Sequence, residues 1–220
     1  MTKNLKILTL FFFILLAACN NSKPTPRNKV STIQIDTTNA VKICEFWAIP
    51  KPSFELNSLL DSYGDTLKLV TCNEFVYFPF GQLKSKRDLA ASILKNFKIL
   101  DKYEKMENGN FEFQFLTLNS NRLILFFDND PDAINYSYIF KGEINDSEVN
   151  FTNGIKINMT KEDFINTFFD SFPNELLKKY KYIELISCLD NITHIYKFND
   201  NKLQSIKFIT DSYWTVNYLK

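Results

Sequence analysis

The chain has 220 residues, with 26 Lys and Arg against 25 Asp and Glu for a formal charge of +1. So balanced a total leaves no electrostatic footprint for nucleic acid or an anionic surface, and one His with five scattered Gly excludes multi-histidine metal sites and a glycine-rich phosphate cradle. Twenty-two Phe and ten Tyr give ample material for a core.

At the N-terminus Lys3 and Lys6 flank the start of an uncharged apolar run, residues 7–18, "ILTLFFFILLAA". It has the layout of a secretory signal and is too short to span a bilayer as a helix. The run closes on Leu16-Ala17-Ala18-Cys19, which resembles the lipobox of bacterial lipoproteins. The resemblance implies that residues 1–18 are a signal peptide cut before Cys19, and that the Cys19 thiol and the new amino group carry acyl chains. Several chains are what stable anchoring requires, because one alone is marginal at about 0.8 kcal/mol per buried methylene. Residues 19–40 are polar, hold two prolines and read as a lipidated flexible tether. Asn20 stands where Asp would retain an enteric lipoprotein at the inner membrane, and no acidic cluster follows. The resemblance therefore implies lipid anchoring at the outer membrane, facing the periplasm.

The remaining chain reads as two units, 41–144 and 145–220. In the first, Ser53 to Tyr63 puts Leu56, Leu59, Leu60 and Tyr63 at helical spacing before Gly64. A strand-like run follows, "LKLVTCNEFVYFPFG". "SKRDLAASILKNF" then opens with Ser85 and Asp88 at capping-box spacing and sets Leu89, Ile93 and Phe97 on one face of a second helix. "LDKYEKME", "FEFQFLTL" and "RLILFF", with turns at Asn108-Gly109 and Asn119 to Asn121, form an antiparallel meander. Its Phe111, Phe113 and Phe115 alternate with polar residues.

The second unit opens with a hairpin, "INYSYIFKGEI" and "VNFTNGIKI", turning at Asn145-Asp146. A helix follows over "TKEDFINTFFDSF", with Thr160 and Asp163 at the same capping spacing, and Pro173 starts another in "PNELLKKYKY". Three strands close the chain, "YIELISCL", "ITHIYKFN" and "LQSIKFIT", the last two joined at Asp200-Asn201. The expected class is α+β, with helix pairs packed beside antiparallel sheet in two tandem related units. The stretch "NGIKINMTKEDFINTFF" with "IYKFNDNKLQSIKF" resembles one unit of the beta-lactamase-inhibitor-protein-like fold, which small outer-membrane assembly lipoproteins and many Bacteroidota lipoproteins share. The match spans Val149 to Phe208; it departs at Asn158, where such families usually have Gly. The matched positions are structural, so no binding residue is carried over.

Three cysteines remain beyond Cys19 in an oxidising compartment. Cys44 and Cys72 both sit in strand-like runs and are the favoured disulfide, leaving Cys188 over, although sequence does not fix pairing. Asp128, Asp130 and Asp132 are spaced like half an EF-hand loop, but Ala133 and Ile139 stand where its Gly and Glu belong, so a solvated turn is expected. His194 shares a strand face with Ile192, Tyr196 and Phe198 and reads as a packed residue rather than a base. Lys178, Lys179 and Lys181 suit a helix C-terminus. In "EFVYFPFG" both faces are apolar, which fits a doubly buried strand, the favoured reading, and also an edge that binds a partner through Tyr77 and Phe80. The tail adds Tyr213 and Trp214 as candidate contacts. No cofactor, metal or catalytic set is expected. The leading reading is a non-enzymatic binding or assembly protein of the cell envelope, with an envelope protein as partner. Alternatives are a hydrolase using Glu162 and Asp163, and a purely structural envelope component.

Overall fold

The computed structural model describes residues 38–60, 64–106, 109–127, 137–189 and 192–210, all within one compact unit that begins at Asp36. Twelve described strands run in chain order: β1 (Val41–Ile43), β2 (Phe46–Pro50), β3 (Leu56–Leu60), β4 (Thr66–Thr71), β5 (Lys98–Met106), β6 (Gly109–Leu118), β7 (Asn121–Phe126), β8 (Ile139–Ile144), β9 (Phe169–Ser171), β10 (Tyr182–Ser187), β11 (Ile192–Asn199) and β12 (Lys202–Thr210). The described helices are short: α1 (Glu74–Tyr77), α2 (Lys161–Phe168), α3 (Asn174–Lys179) and a 3-10 segment, Lys86–Ala91. The result is an α+β fold that leans heavily to β.

One nine-stranded sheet has the order β3-β4-β10-β11-β12-β8-β7-β6-β5; a second, three-stranded sheet has the order β1-β2-β9. The stretches 41–144 and 145–220 both feed the large sheet, since β4 pairs with β10 and β8 with β12. Alternation along β10, β11 and β12 sends Ile183, Leu185, Tyr196, Phe198, Ile206 and Phe208 to one face. That face is covered by apolar residues of the helices and loops, among them Phe75, Leu89, Leu94, Phe151, Phe164, Phe168 and Leu176.

The meander β5-β6-β7 and the last three strands stand where their alternation and turns put them. Asp200 and Asn201 both take positive φ, 47° and 62°, and form the two-residue turn that matches the twist of paired strands. Thr160 caps α2 by accepting from the Asp163 amide at 3.0 Å, and Pro173 precedes α3. Asn158 has φ 71°, the left-handed conformation that Asn tolerates nearly as readily as Gly.

Four expected elements differ, each for a local reason. Ser53 to Tyr63 is not a helix. Its described part holds β3, whose register slips between Leu56 and Ser58. The extra residue, Asn57, puts Leu56 opposite Thr71 and Leu59 opposite Leu69 on the same face, so a bulged strand reproduces helical spacing. "EFVYFPFG" is not a strand but one helical turn, α1, capped by Asn73, whose side chain accepts from the Phe75 amide. An all-apolar run carries no period, so the cap alone distinguishes the two. In "SKRDLAASILKNF" only the 3-10 segment forms. Ser92 donates to the Leu89 carbonyl and accepts from the Leu94 amide, turning the chain so that Leu94, not Ile93, is buried. Finally, no strand follows the Asn145-Asp146 turn. Both edges of β8 are taken, by β7 and β12, and Asn121 Oδ1 ties down the amides of Asn145 and Asp146.

Candidate binding surface

Cys72 and Cys188 form a disulfide with Cα atoms 5.1 Å apart, which corrects the expected Cys44–Cys72 pairing. The cause is a parallel pair. β4 and β10 run side by side from Thr66↔Tyr182 to Thr71↔Ser187, so the next residue of each strand is a cysteine. Lys68 and Glu184, opposite each other, form an ion pair at 3.6 Å. The signal was in the chain as two similar stretches, Leu69-Val70-Thr71-Cys72 and Leu185-Ile186-Ser187-Cys188. Antiparallel expectations hid it.

The Tyr77 hydroxyl lies 3.6 Å from Cys188 Sγ, beneath that bridge. Tyr77 and Phe80 are core residues, not surface contacts, because α1 turns them inward: both are buried, and Phe80 stacks on Phe151 at 4.9 Å. Phe78 is half-buried against the same core. Tyr213 and Trp214, like Cys19, Asp128, Asp130 and Asp132, lie outside the described residues.

His194 is fully buried as a packed residue, with Phe208 edge-on at 4.7 Å, Phe75 at 5.8 Å and its Nδ1 3.3 Å from the Tyr196 hydroxyl. Desolvation lowers its pKa to about 3, with the Val76 backbone opposing. A fully buried imidazole that holds a proton so weakly is a poor general base near neutral pH. Among the described residues Lys161 is the one buried cation. Its Nζ donates to the Leu177 carbonyl at 2.9 Å and the Tyr180 carbonyl at 2.7 Å, closing the C-terminal end of α3, and burial lowers its pKa. Glu162 and Asp163 are exposed, and Asp163 Oδ2 accepts from the Thr160 hydroxyl at 2.7 Å within the cap.

The exposed chemistry lies elsewhere, at two places. The first is the β1-β2 hairpin. Its turn is Cys44-Glu45, with Cys44 at φ 54°. Cys44 is exposed and free, and the Tyr180 hydroxyl at 3.5 Å, joined by Lys179 Nζ at 3.6 Å, holds its pKa below the ordinary thiol value. Next to it Phe46 is at the edge of exposure and Trp47 is 62% exposed.

The second place is the β5 end of the large sheet. On the face turned away from the main core, Phe113 and Phe140 are buried in a cluster ringed by Phe111, Phe115, Ile124 and Phe126. Lys102 Nζ sits 4.2 Å from the Phe115 ring centre. Along β5 itself Leu100 is 57% and Tyr103 69% exposed. Among the described residues no group of three or more His, Cys, Asp or Glu gathers as for a metal ion. These places present aromatic and aliphatic groups beside cations, the residue types of a contact surface. No protein-family model, curated protein or solved structure matches this chain.

Proposed function

We propose that this protein is a lipid-anchored, non-enzymatic binding or assembly component of the cell envelope, held to the periplasmic side of the outer membrane through Cys19 and engaging an envelope protein through its exposed aromatic hairpin. The observation that carries the binding role is Trp47, 62% exposed on β2 beside Phe46. A tryptophan left in solvent on an ordered strand pays a hydration penalty that a partner would relieve, and such residues anchor interfaces. The lipobox-like Leu16-Ala17-Ala18-Cys19 and the polar tether behind it support the anchor.

The tandem layout, with helices beside antiparallel sheet in each half, belongs to the same proposal. Both halves place short helical segments before a three-stranded meander, α1 and the 3-10 segment before β5-β6-β7, and α2 and α3 before β10-β11-β12. Both open a helical segment on a capping residue followed by Asp three positions on, Ser85 with Asp88 and Thr160 with Asp163.

The test is a photo-reactive amino acid at position 47 in intact cells. A discrete adduct with an envelope protein, absent when the reactive group sits at exposed Asp170 and lost with Cys19→Ala, is expected. Equal labelling from both positions, or none across several growth conditions, would overturn the binding role. Fatty-acid labelling that persists in Cys19→Ala would overturn the anchor.

A further inference from the structure

β5 is an outer strand of the nine-stranded sheet: β6 pairs with one side along its whole length, and no described strand takes the other. Alternate residues of such an edge direct N–H and C=O groups away from the sheet, ready for another strand. Charged residues on an edge normally deter this. Here their order does the opposite. From Leu100 to Met106 the sequence is Leu-Asp-Lys-Tyr-Glu-Lys-Met. Laid antiparallel on a second copy and centred on Tyr103, it places Lys102 opposite Glu104 of the other copy, Asp101 opposite Lys105, Leu100 opposite Met106 and Tyr103 opposite itself. Each of the four charges between Leu100 and Met106 meets its opposite, and cross-strand pairs of this kind stabilise whereas like charges oppose.

Neighbouring symmetric registers fail on the same test. Centring on residue 101, 102, 104 or 105 sets a charged residue against itself, and centring on Leu100 puts Lys98 against Lys102. Among the registers centred from Leu100 to Lys105, only the one on Tyr103 passes. Its two faces are also consistent: among the described side chains of β5, Tyr103 and Leu100 are the most exposed apolar ones and point to opposite sides, so pairing covers apolar surface on both. We propose that two copies of this chain join β5 to β5 about a two-fold axis through Tyr103, continuing the sheet from one copy into the next. The contact is isologous and uses up both open β5 edges, so at this edge it closes as a dimer rather than growing into a fibre.

The experiment uses the full chain in detergent micelles, with folding followed by circular dichroism. Sedimentation should give a dimer that Lys102→Glu or Glu104→Lys weakens by about tenfold or more, while Lys102→Glu combined with Glu104→Lys restores it, because the swap re-creates each opposite pair. In a Cys44→Ser background, Tyr103→Cys should form an intermolecular disulfide readily, since residues opposite on paired strands lie about 5 Å apart at Cα. Leu100→Cys should not, because its two copies would stand about 20 Å apart, six residues along the strand. The unmodified background is the blank for other thiols. A monomer at about 100 µM, a weak affinity for a specific dimer, or a failed rescue, or cross-linking as strong from position 100 as from 103, would overturn the proposal.

Discussion

The single histidine makes acid stability a sharp measurement. His194 is packed among Phe75, Tyr196 and Phe208, and its pKa of about 3 lies well below the ordinary 6.5 because burial disfavours the cation. Between those values the unfolded chain binds a proton that the folded chain refuses, so stability falls as pH drops below about 6.5 and the loss levels off near pH 3. Each unit is worth about 1.36 kcal/mol, giving about 3 kcal/mol at pH 4.5 and roughly 5 kcal/mol at the plateau. The perturbation is His194→Phe, which keeps an aromatic ring in the cluster. It leaves the Tyr196 hydroxyl without its partner, at a cost of about 1–3 kcal/mol, but that cost is the same at every pH. Urea unfolding at pH 7 and pH 4.5 on both proteins gives four free energies, and the acid loss should be smaller by about 3 kcal/mol in the variant. Carboxylate titrations are common to both and cancel. The imidazole C2 proton of the wild-type protein, a lone resonance, should hold its chemical shift down to about pH 4. A midpoint near 6.5, or the same acid loss in both proteins, would refute the burial argument.

Tyr77→Ala and Phe80→Ala should each cost about 3–5 kcal/mol in denaturant unfolding, as truncated core aromatics do, whereas Trp47→Ala should stay within about 0.5 kcal/mol of wild type. Peptide mapping without reduction should recover Cys72 joined to Cys188 with Cys44 alkylated, and replacing both bridge cysteines with Ser should cost about 2–5 kcal/mol for so long a loop. Lys161→Met keeps the stem but strands the Leu177 and Tyr180 carbonyls; a loss of about 2 kcal/mol should lower Tm by about 4–8 °C in a scanning calorimeter.

What could be read from the chain divides along a physical line. Elements whose order is local were legible: the β5-β6-β7 meander, the Asp200-Asn201 turn, the Thr160 and Pro173 starts of α2 and α3; the Phe111-Phe113-Phe115 alternation marks the strand but not a wet face, since Gln114 between them is buried as well. Elements set by a distant partner were not. Asn57 becomes a bulge only because Leu59 must meet Leu69, and Asn145 ends β8 only because Asn121 reaches across to it. Tyr77 stays a candidate contact beside the favoured core reading for the same reason, since a run without polar residues has no wet side to reveal which way it faces; the structure buries it. Trp47, three residues after Cys44, sits in no recognisable motif. Its exposure is a property of the β1-β2 hairpin, not of any motif.

The parallel β4–β10 pair also imposes an order of events on a chain that emerges N-terminus first. β4 ends at Thr71, and its disulfide partner lies 116 residues further on, so β4 has only β3 beside it until most of the protein has been made. Contacts of such separation close late, because the loop must be ordered before the pairing rewards it. Until then the apolar edge from Leu67 to Val70 stands open beside an unpaired Cys72 thiol. A partly made chain is thus at its most adhesive through the middle of its synthesis. Holding factors that bind extended apolar strands should matter most in that interval, and a truncation before Tyr182 should aggregate rather than fold.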